Sequence, residues 1–185
     1  METRKELAIR GALKQREQSK TLLPELSKRK VELQKVCSTG KDFLKQFNFD
    51  YCADRYRILN TQKAALVSKM INLRELTNVY NQETPRLLLS LWLTQLCLFM
   101  GFEAIEIQLR QTSEYMYEEI GMLNLAELTL LFHRIREGFY GEFYGKFNPQ
   151  IVLRACREYR KERGCIISKM STNQQNEILN TLYSK

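Results

Sequence analysis

Basic residues recur at helical spacing near the end of the chain, where they could neutralise phosphate groups. Arg154, Arg157 and Lys161 stand three and four residues apart in the stretch QIVLRACREYRKER, residues 150–163. At about 100° per residue they share one face of a helix, and the apolar side chains of the stretch fall on the opposite face. Such a stripe suits contact with about two or three phosphates of a nucleic acid. The alternative is a plain solvated face, because glutamates three or four residues away could pair with these cations.

An aromatic repeat precedes this stripe in EGFYGEFYGKFNP, residues 137–149. Its glycines would each weaken a helix by about 1 kcal/mol, so the pattern favours a compact, partly turned segment. We expect the phenylalanines to pack the corner between two helices, over residues 125–137 and 149–163, because apolar rings gain most from burial. These phenylalanines are Phe139, Phe143 and Phe147.

The tyrosines of the repeat have a different expected role, because a tyrosine can bury its ring and keep its hydroxyl at the surface. Tyr140 and Tyr144 could offer stacking faces to the bases of a single-stranded nucleic acid beside a basic groove. The predicted nucleic-acid-binding set is therefore Tyr140, Tyr144, Lys146, Arg154, Arg157 and Lys161. The alternative is that the whole repeat only fixes the angle between two helices.

Residues that could carry catalysis or hold a metal are scattered along the chain. His133 is the only histidine, and none of the five cysteines belongs to a C-x-x-C pair. A zinc site needs clustered ligands and acid–base catalysis needs a partner for the histidine, so we expect no metal, no cofactor and no enzymatic activity. The phosphate-binding loop G-x-x-x-x-G-K-[ST] is also missing from the sequence. His133 is expected to serve in packing or on a helix surface.

Cysteine spacing and the first residues predict a compartment. Unpaired spacing favours free thiols, which are typical of a reducing environment. The first ten residues, METRKELAIR, are charged and contain no apolar signal core, which predicts a cytoplasmic protein. The most apolar run, LLLSLWLTQLCLFM over residues 87–100, is too short to span a bilayer. It predicts a buried helix, and no membrane partner is expected.

The elements that position these residues are all predicted to be helices. The chain of 185 residues has only 8 glycines and 3 prolines, and its apolar residues recur at helical spacing, which favours an all-α helical bundle. Long amphipathic helices are predicted over residues 2–20, 24–37 and 55–80, packed on or extending from a C-terminal helical domain. The boundary is predicted at NQETP, which gives an N-terminal region 1–82 and a C-terminal domain 83–185.

Capping signals set the predicted helix ends in the C-terminal domain. Polar residues that can accept a backbone hydrogen bond predict the starts, and glycines predict the ends. The predicted starts are Thr84-Pro85, Asn124 with Glu127 as a capping box, and Asn148-Pro149, and the predicted ends are Gly121, Gly138 and Gly164.

The net charge of +8 is unevenly distributed along the chain. Residues 1–36 hold ten basic and five acidic residues, and residues 145–170 hold seven and two. Residues 84–144 hold four basic and eight acidic residues. The basic ends favour a polyanionic partner, and the acidic middle favours a protein partner.

Residues 125–163 resemble a segment found in proteins of bacterial phages and other mobile elements. Its skeleton is a Leu/Phe-rich helix, then G-x-Y-G-x-x-Y, then a helix ending in Y-x-x-E-R, a helix–turn–helix-like arrangement. Some such proteins are suspected replication accessories, including helicase-loader-like adaptors, and the resemblance implies a similar role here. The matching residues are Gly138, Tyr140, Gly141, Tyr144, Tyr159, Glu162 and Arg163.

Two functions are compatible with these observations. The first is a non-enzymatic, nucleic-acid-associated helical protein, such as a phage or mobile-element replication accessory. The alternative is a helical protein-interaction or scaffolding module without nucleic-acid binding, which docks a partner protein or a second copy through amphipathic helices. The salt dependence of binding separates the two, because phosphate contacts release counterions and apolar contacts do not.

Overall fold

The computed structural model describes most of the chain, and the predicted N-terminal helices fall largely outside it. The described residues are 30–56, 60–66, 71–103 and 105–183. The helix predicted over residues 2–20 and the beginning of the one predicted over 24–37 lie outside the described residues.

Two compact units divide the chain, Met1–Ser38 and Thr39–Lys185. In the first unit, residues 30–36 are helical. The boundary predicted between residues 82 and 83 lies inside the second unit, at the start of a helix. The physical reason is that helices before and after this point share one core, as described below.

The second unit is built from helices only, within its described residues. The one β-bridge there is isolated and joins Asn72 to Asn124. The helices are α1 (Gly40–Gln46), α2 (Phe49–Tyr56), α3 (Thr61–Leu66), α4 (Leu73–Val79), α5 (Glu83–Met100), α6 (Glu106–Ile120), α7 (Leu125–Arg136), α8 (Pro149–Lys169) and α9 (Thr172–Tyr183). The predicted all-α helical bundle is confirmed. Among the described helices, none combines the length and the apolar character that crossing a membrane requires.

Three aromatic rings form the centre of the core and join α2, α5 and α7. Phe49 and Trp92 meet edge to face with ring centroids 5.3 Å apart, and Trp92 meets Phe132 in the same way at 5.4 Å. All three side chains are fully buried. The indole of Trp92 also donates a hydrogen bond of 3.2 Å to the carbonyl of Phe47. Burial of each ring stabilises the fold by about 2–3 kcal/mol, which explains why residues on both sides of position 82 fold together.

The apolar run predicts α5 correctly, but only one side of this helix is buried. Leu88, Trp92 and Leu96 lie four residues apart and contribute to the core. Leu87, Leu91 and Leu98 lie on another face and are exposed. The helix is therefore a core element that also presents leucines to the solvent.

Side-chain caps begin several helices of the second unit. In a capping box, the side chain of the N-cap residue accepts a hydrogen bond from the backbone N–H three residues later. The side chain of that later residue accepts one from the backbone N–H of the N-cap residue. The box predicted at Asn124 and Glu127 is confirmed, and two further boxes occur in the described residues. The three are Thr39 with Asp42, Asn72 with Glu75, and Asn124 with Glu127.

The predicted start of α5 is wrong by two residues and by its cap. The helix begins at Glu83, before the predicted Thr84 cap. Asn81 supplies the cap instead, since its side-chain oxygen accepts from the backbone N–H groups of Glu83 and Thr84, at 3.0 and 2.8 Å. Asn81, three residues before Thr84, therefore caps the helix in place of this threonine.

The long helix predicted over residues 55–80 is also wrong. Asn60 and residues 71–72 lie outside helices, and Asn72 caps α4. Asn60 in turn accepts from the backbone N–H of Lys63 at the start of α3, at 2.9 Å. Within the described residues, the apolar spacing at Leu73 and Leu76 reflects burial of the short helix α4.

Candidate nucleic-acid interface

Helix α8 carries the predicted basic stripe, and its start is built as the sequence predicts. Asn148 caps the helix by accepting a hydrogen bond of 2.9 Å from the backbone N–H of Gln150, and Pro149 occupies the first turn. The predicted end at Gly164 is wrong, because the helix continues through this glycine to Lys169. A single interior glycine costs about 1 kcal/mol, which is less than the packing of this helix supplies.

One side of α8 is buried and the opposite side carries the stripe. Val152, Ala155, Cys156 and Tyr159 are fully buried. The cations predicted to face away from the core, Arg154, Arg157 and Lys161, are all exposed.

The arginines of α8 differ in whether a carboxylate already holds them. Arg160 lies 2.7 Å from Glu119 of α6, and Arg163 lies 2.5 Å from Glu127 of α7. Arg157 and Lys161, by contrast, make no ion pair or hydrogen bond with the described part of the chain. Two exposed cations one turn apart are thus available to an external anion.

Arg154 is only partly available, because it holds the backbone of the aromatic repeat. Its guanidinium donates a hydrogen bond to the carbonyl of Tyr140 and lies 4.0 Å from Glu158. A Cβ at Gly141 would meet this guanidinium, and Gly141 has a φ of +117°, which side-chain-bearing residues rarely adopt. The absence of a side chain at this position permits the contact.

The two predicted stacking tyrosines occupy opposite environments. Tyr144 is 85% exposed, and the neighbouring Lys146 is exposed with no ion pair to a described residue. Tyr140 is only 4% exposed, so the stacking face predicted for it is not available. Arg134 reaches the Tyr140 hydroxyl at 3.4 Å, and burial raises the pKa of this hydroxyl. Of the predicted set, Tyr140 is therefore a packing residue.

The turn that ends α7 lies directly before the exposed Phe139 and the buried Tyr140, whose environments are the reverse of those expected. Gly138 has a left-handed φ of +73°, and its N–H and that of Phe139 bond to the carbonyls of Ile135 and Arg134. This is a Schellman motif, in which the glycine reverses the chain at the helix end. Phe139 lies beside the Arg134 guanidinium at 5.1 Å and remains 65% exposed, whereas Tyr140 turns inward.

Of the three phenylalanines predicted to pack between the helices, only Phe147 is buried. Phe147 is 7% exposed and stacks at 6.4 Å on Phe143, which is half-buried. Phe143 also contacts Phe102, from the segment after α5, at 5.6 Å. For Phe139 the prediction is wrong, since most of its surface faces the solvent.

A polar cluster between α3, α7 and α8 was not predicted from the sequence. Arg134 donates two hydrogen bonds to Glu162, of 2.7 and 3.3 Å, and a third to the Thr61 hydroxyl at 3.0 Å. Thr61 donates onward to Glu162 at 2.8 Å. Burial lifts the pKa of the fully buried Tyr159, whose ring lies 5.7 Å from the Arg134 guanidinium. The capping signals offered no indication of this cluster, because its members are far apart in the sequence.

Four of the seven residues of the G-x-Y-G-x-x-Y and Y-x-x-E-R skeleton lie in this cluster or in the ion pair beside it. Tyr140, Tyr159 and Glu162 surround Arg134, and Arg163 pairs with the buried Glu127. These side chains therefore hold α7 to α8. Their spacing is a property of the fold, and the exposed cations Arg157 and Lys161 lie outside the matching skeleton.

His133 is half-buried with its ring 5.5 Å from that of Phe49, so it serves in packing as expected. Across the described ranges, no group of three or more His, Cys, Asp or Glu side chains is arranged to hold a metal ion. The five cysteines all lie in described residues and form no disulfide.

Comparison with protein-family models gives no match for this chain. The same is true of comparison with curated proteins and with solved structures.

Proposed function

We propose that this chain is a non-enzymatic, nucleic-acid-associated helical protein that contacts the phosphate backbone with the exposed face of α8. One observation carries the proposal: Arg157 and Lys161 are exposed cations without a carboxylate partner in the described residues. On the same helix, Arg160 and Arg163 are paired. Cations that stabilise the fold and cations that face the solvent are thus separated on one element.

The surroundings of the two cations strengthen this interpretation. Residues 145–170 hold seven basic and two acidic residues, so the local charge attracts a polyanion. Lys146 adds a further cation, and the exposed Tyr144 adds a ring on which an unpaired base can stack. Arg154 contributes charge while it holds the backbone of Tyr140. Such contacts bind the backbone and carry no sequence information, so we propose binding that is independent of sequence.

The biological setting of this proposal is the replication of a phage or mobile element. Its support is the resemblance of residues 125–163, which concerns the α7–α8 arrangement that presents the cations. A cytoplasmic location is part of the same proposal, and the free thiols support it, because reduced cysteines are typical of that compartment.

Fluorescence anisotropy with labelled single- and double-stranded DNA and RNA, at two salt concentrations, tests the proposal. The double variant Arg157→Gln/Lys161→Gln should bind more weakly and should lower the slope of log K against log salt by about 1.5, because each phosphate contact contributes about 0.7–0.9. The melting temperature should stay nearly unchanged, since both side chains are exposed and unpaired.

A matched control exists on α1. Lys41 and Lys45 are also exposed, four residues apart and without an ion pair to described residues. Their surroundings are electrically balanced, because residues 39–56 hold three basic and three acidic residues. Lys41→Gln/Lys45→Gln should therefore leave affinity and slope nearly unchanged. Absence of binding to all four probes at low salt overturns the proposal, and so does equal loss in both double variants.

A further inference from the structure

Helix α5 presents an unpartnered row of leucines. Leu87, Leu91 and Leu98 are four and seven residues apart, so they lie on one face of the helix. They are 49%, 47% and 71% exposed. The core needs only the opposite face, on which Leu89 and Leu96 are fully buried. Packing within the described residues therefore does not account for these three leucines.

Carboxylates accompany this row on the neighbouring helix α6. Residues 83–120, which contain α5 and α6, hold six acidic and two basic residues. One of the two basic residues, Arg86, is already paired with Glu114 and lies 4.4 Å from the ring of Tyr117. Glu106 and Glu118 are exposed and have no ion pair with a described residue. The helix that carries the apolar row and its neighbour are thus acidic overall.

The beginning of α6 adds a concave element. An open cavity of about 410 Å³ is lined by Ile105, Glu106, Ile107 and Arg110. Both isoleucines are nearly half exposed. The hollow is therefore lined by two apolar side chains and by one charged side chain of each sign.

We propose that the leucine face of α5, together with the carboxylates of α6, docks a basic amphipathic helix of another protein. Apolar side chains at helical spacing on the partner would cover Leu87, Leu91 and Leu98, as in other helix-in-groove complexes. Lysines and arginines on its flanks would meet Glu106 and Glu118, which favours a basic partner over an acidic one. This site differs from the α8 face in charge and in chemistry, so it does not depend on nucleic-acid binding.

The test uses two synthetic helical peptides with identical leucine spacing, one with lysines and one with glutamates at the remaining positions. Anisotropy of the labelled lysine peptide should show saturable binding to the whole chain, and the glutamate peptide should not bind. The double variant Leu91→Ser/Leu98→Ser should bind the lysine peptide with an affinity that is lower by about tenfold or more, because apolar anchors dominate such interfaces. Val31→Ser/Val36→Ser, at two apolar positions of similar exposure outside this face, is the matched control and should bind as the parent does.

Three results would overturn the proposal. The leucine variant could bind the lysine peptide as tightly as the parent, which would place the contact elsewhere. The glutamate peptide could bind equally well, which would remove the role of the carboxylates. Light scattering could show a parent dimer that the leucine variant disperses, which would assign the face to a second copy of this chain.

Discussion

Arg134 and Glu162 are joined by two parallel hydrogen bonds, of 2.7 and 3.3 Å, which tie the last turn of α7 to the middle of α8. Burial alone would lower the pKa of Arg134, but the hydrogen bonds to Glu162 and Tyr140 raise it. A paired, partly buried cation of this kind stabilises more than an exposed ion pair, whose contribution is about 0–1 kcal/mol. Loss of one partner leaves the other charge without compensation.

We therefore expect Arg134→Met to lower the free energy of unfolding by about 2 kcal/mol, less than for a fully buried pair because both side chains remain partly exposed. Urea denaturation measures the change. Arg157→Met removes an unpaired arginine of α8 and should change stability by about 0.5 kcal/mol or less. Equal losses in the two variants would show that the pair contributes nothing specific.

Stability should depend on the protonation of Glu127. This side chain is fully buried, and burial raises the pKa of its carboxyl above the usual range, although Arg163 and the N–H of Asn124 partly oppose the shift. The folded chain then holds the proton to a higher pH than the unfolded chain does. The contribution is largest below the unfolded pKa, near about pH 4, and is lost as the pH rises through the folded pKa.

The measurement is the free energy of unfolding of the parent minus that of Glu127→Gln, between pH 4 and pH 8. This difference should fall as the pH rises. A difference that is constant or that grows with pH would mean that Arg163 overcomes the effect of burial.

Two rings of the aromatic repeat, those of Phe147 and Phe139, should contribute very differently to the free energy of unfolding. Phe147→Ala should cost about 3 kcal/mol, because this ring is buried and its loss leaves a cavity. Phe139→Ala should cost about 0.5 kcal/mol or less, because this ring is mostly exposed. Thermal or urea denaturation of the two variants checks the ranking, and the reverse ranking would contradict the observed burial.

Gly164 offers a stabilising substitution. It lies in the interior of α8, and a Cβ there would meet no other atom within 4 Å. Gly164→Ala should raise the free energy of unfolding by about 0.5–1 kcal/mol. Gly138→Ala is the matched control and should be destabilising, because Gly138 has a φ of +73°. A loss of stability in Gly164→Ala would indicate that α8 ends near this residue.

Cys165 should be the reactive thiol among the cysteines of the second unit. It is exposed, whereas burial raises the pKa of Cys52 and Cys156 to about 12, so these two form almost no thiolate near neutral pH. Iodoacetamide should label Cys165 in the native chain, and the buried Cys52, Cys97 and Cys156 only after unfolding. Mass spectrometry of the labelled peptides checks this, and early labelling of Cys156 would contradict the buried face of α8.

The parts of the fold that depend on neighbouring residues were predictable from the sequence. The Asn124–Glu127 capping box and the Asn148–Pro149 start each involve interactions within four residues, and both are present. The exposure of Arg157 and Lys161 also follows from helical periodicity alone, because the opposite face of α8 carries its apolar residues.

The parts of the fold that depend on residues far apart in the sequence were not predictable. Arg134 and Glu162 are 28 residues apart, so spacing along the chain could not reveal their pair. Which ring of the repeat turns inward is associated with the turn at Gly138 and the position of Arg134, not with ring polarity. Polarity therefore predicted the wrong environment for both Phe139 and Tyr140.

The contact between Gly141 and Arg154 has a consequence for the surface charge of the molecule. Because position 141 carries no side chain, the Arg154 guanidinium reaches the carbonyl of Tyr140. One of its N–H groups therefore donates to the backbone and is not available to a ligand. A single added methyl group at this position would clash with that guanidinium and force it to shift. The position of this positive charge beside α8 is thus set in part by an uncharged residue that lies outside the helix.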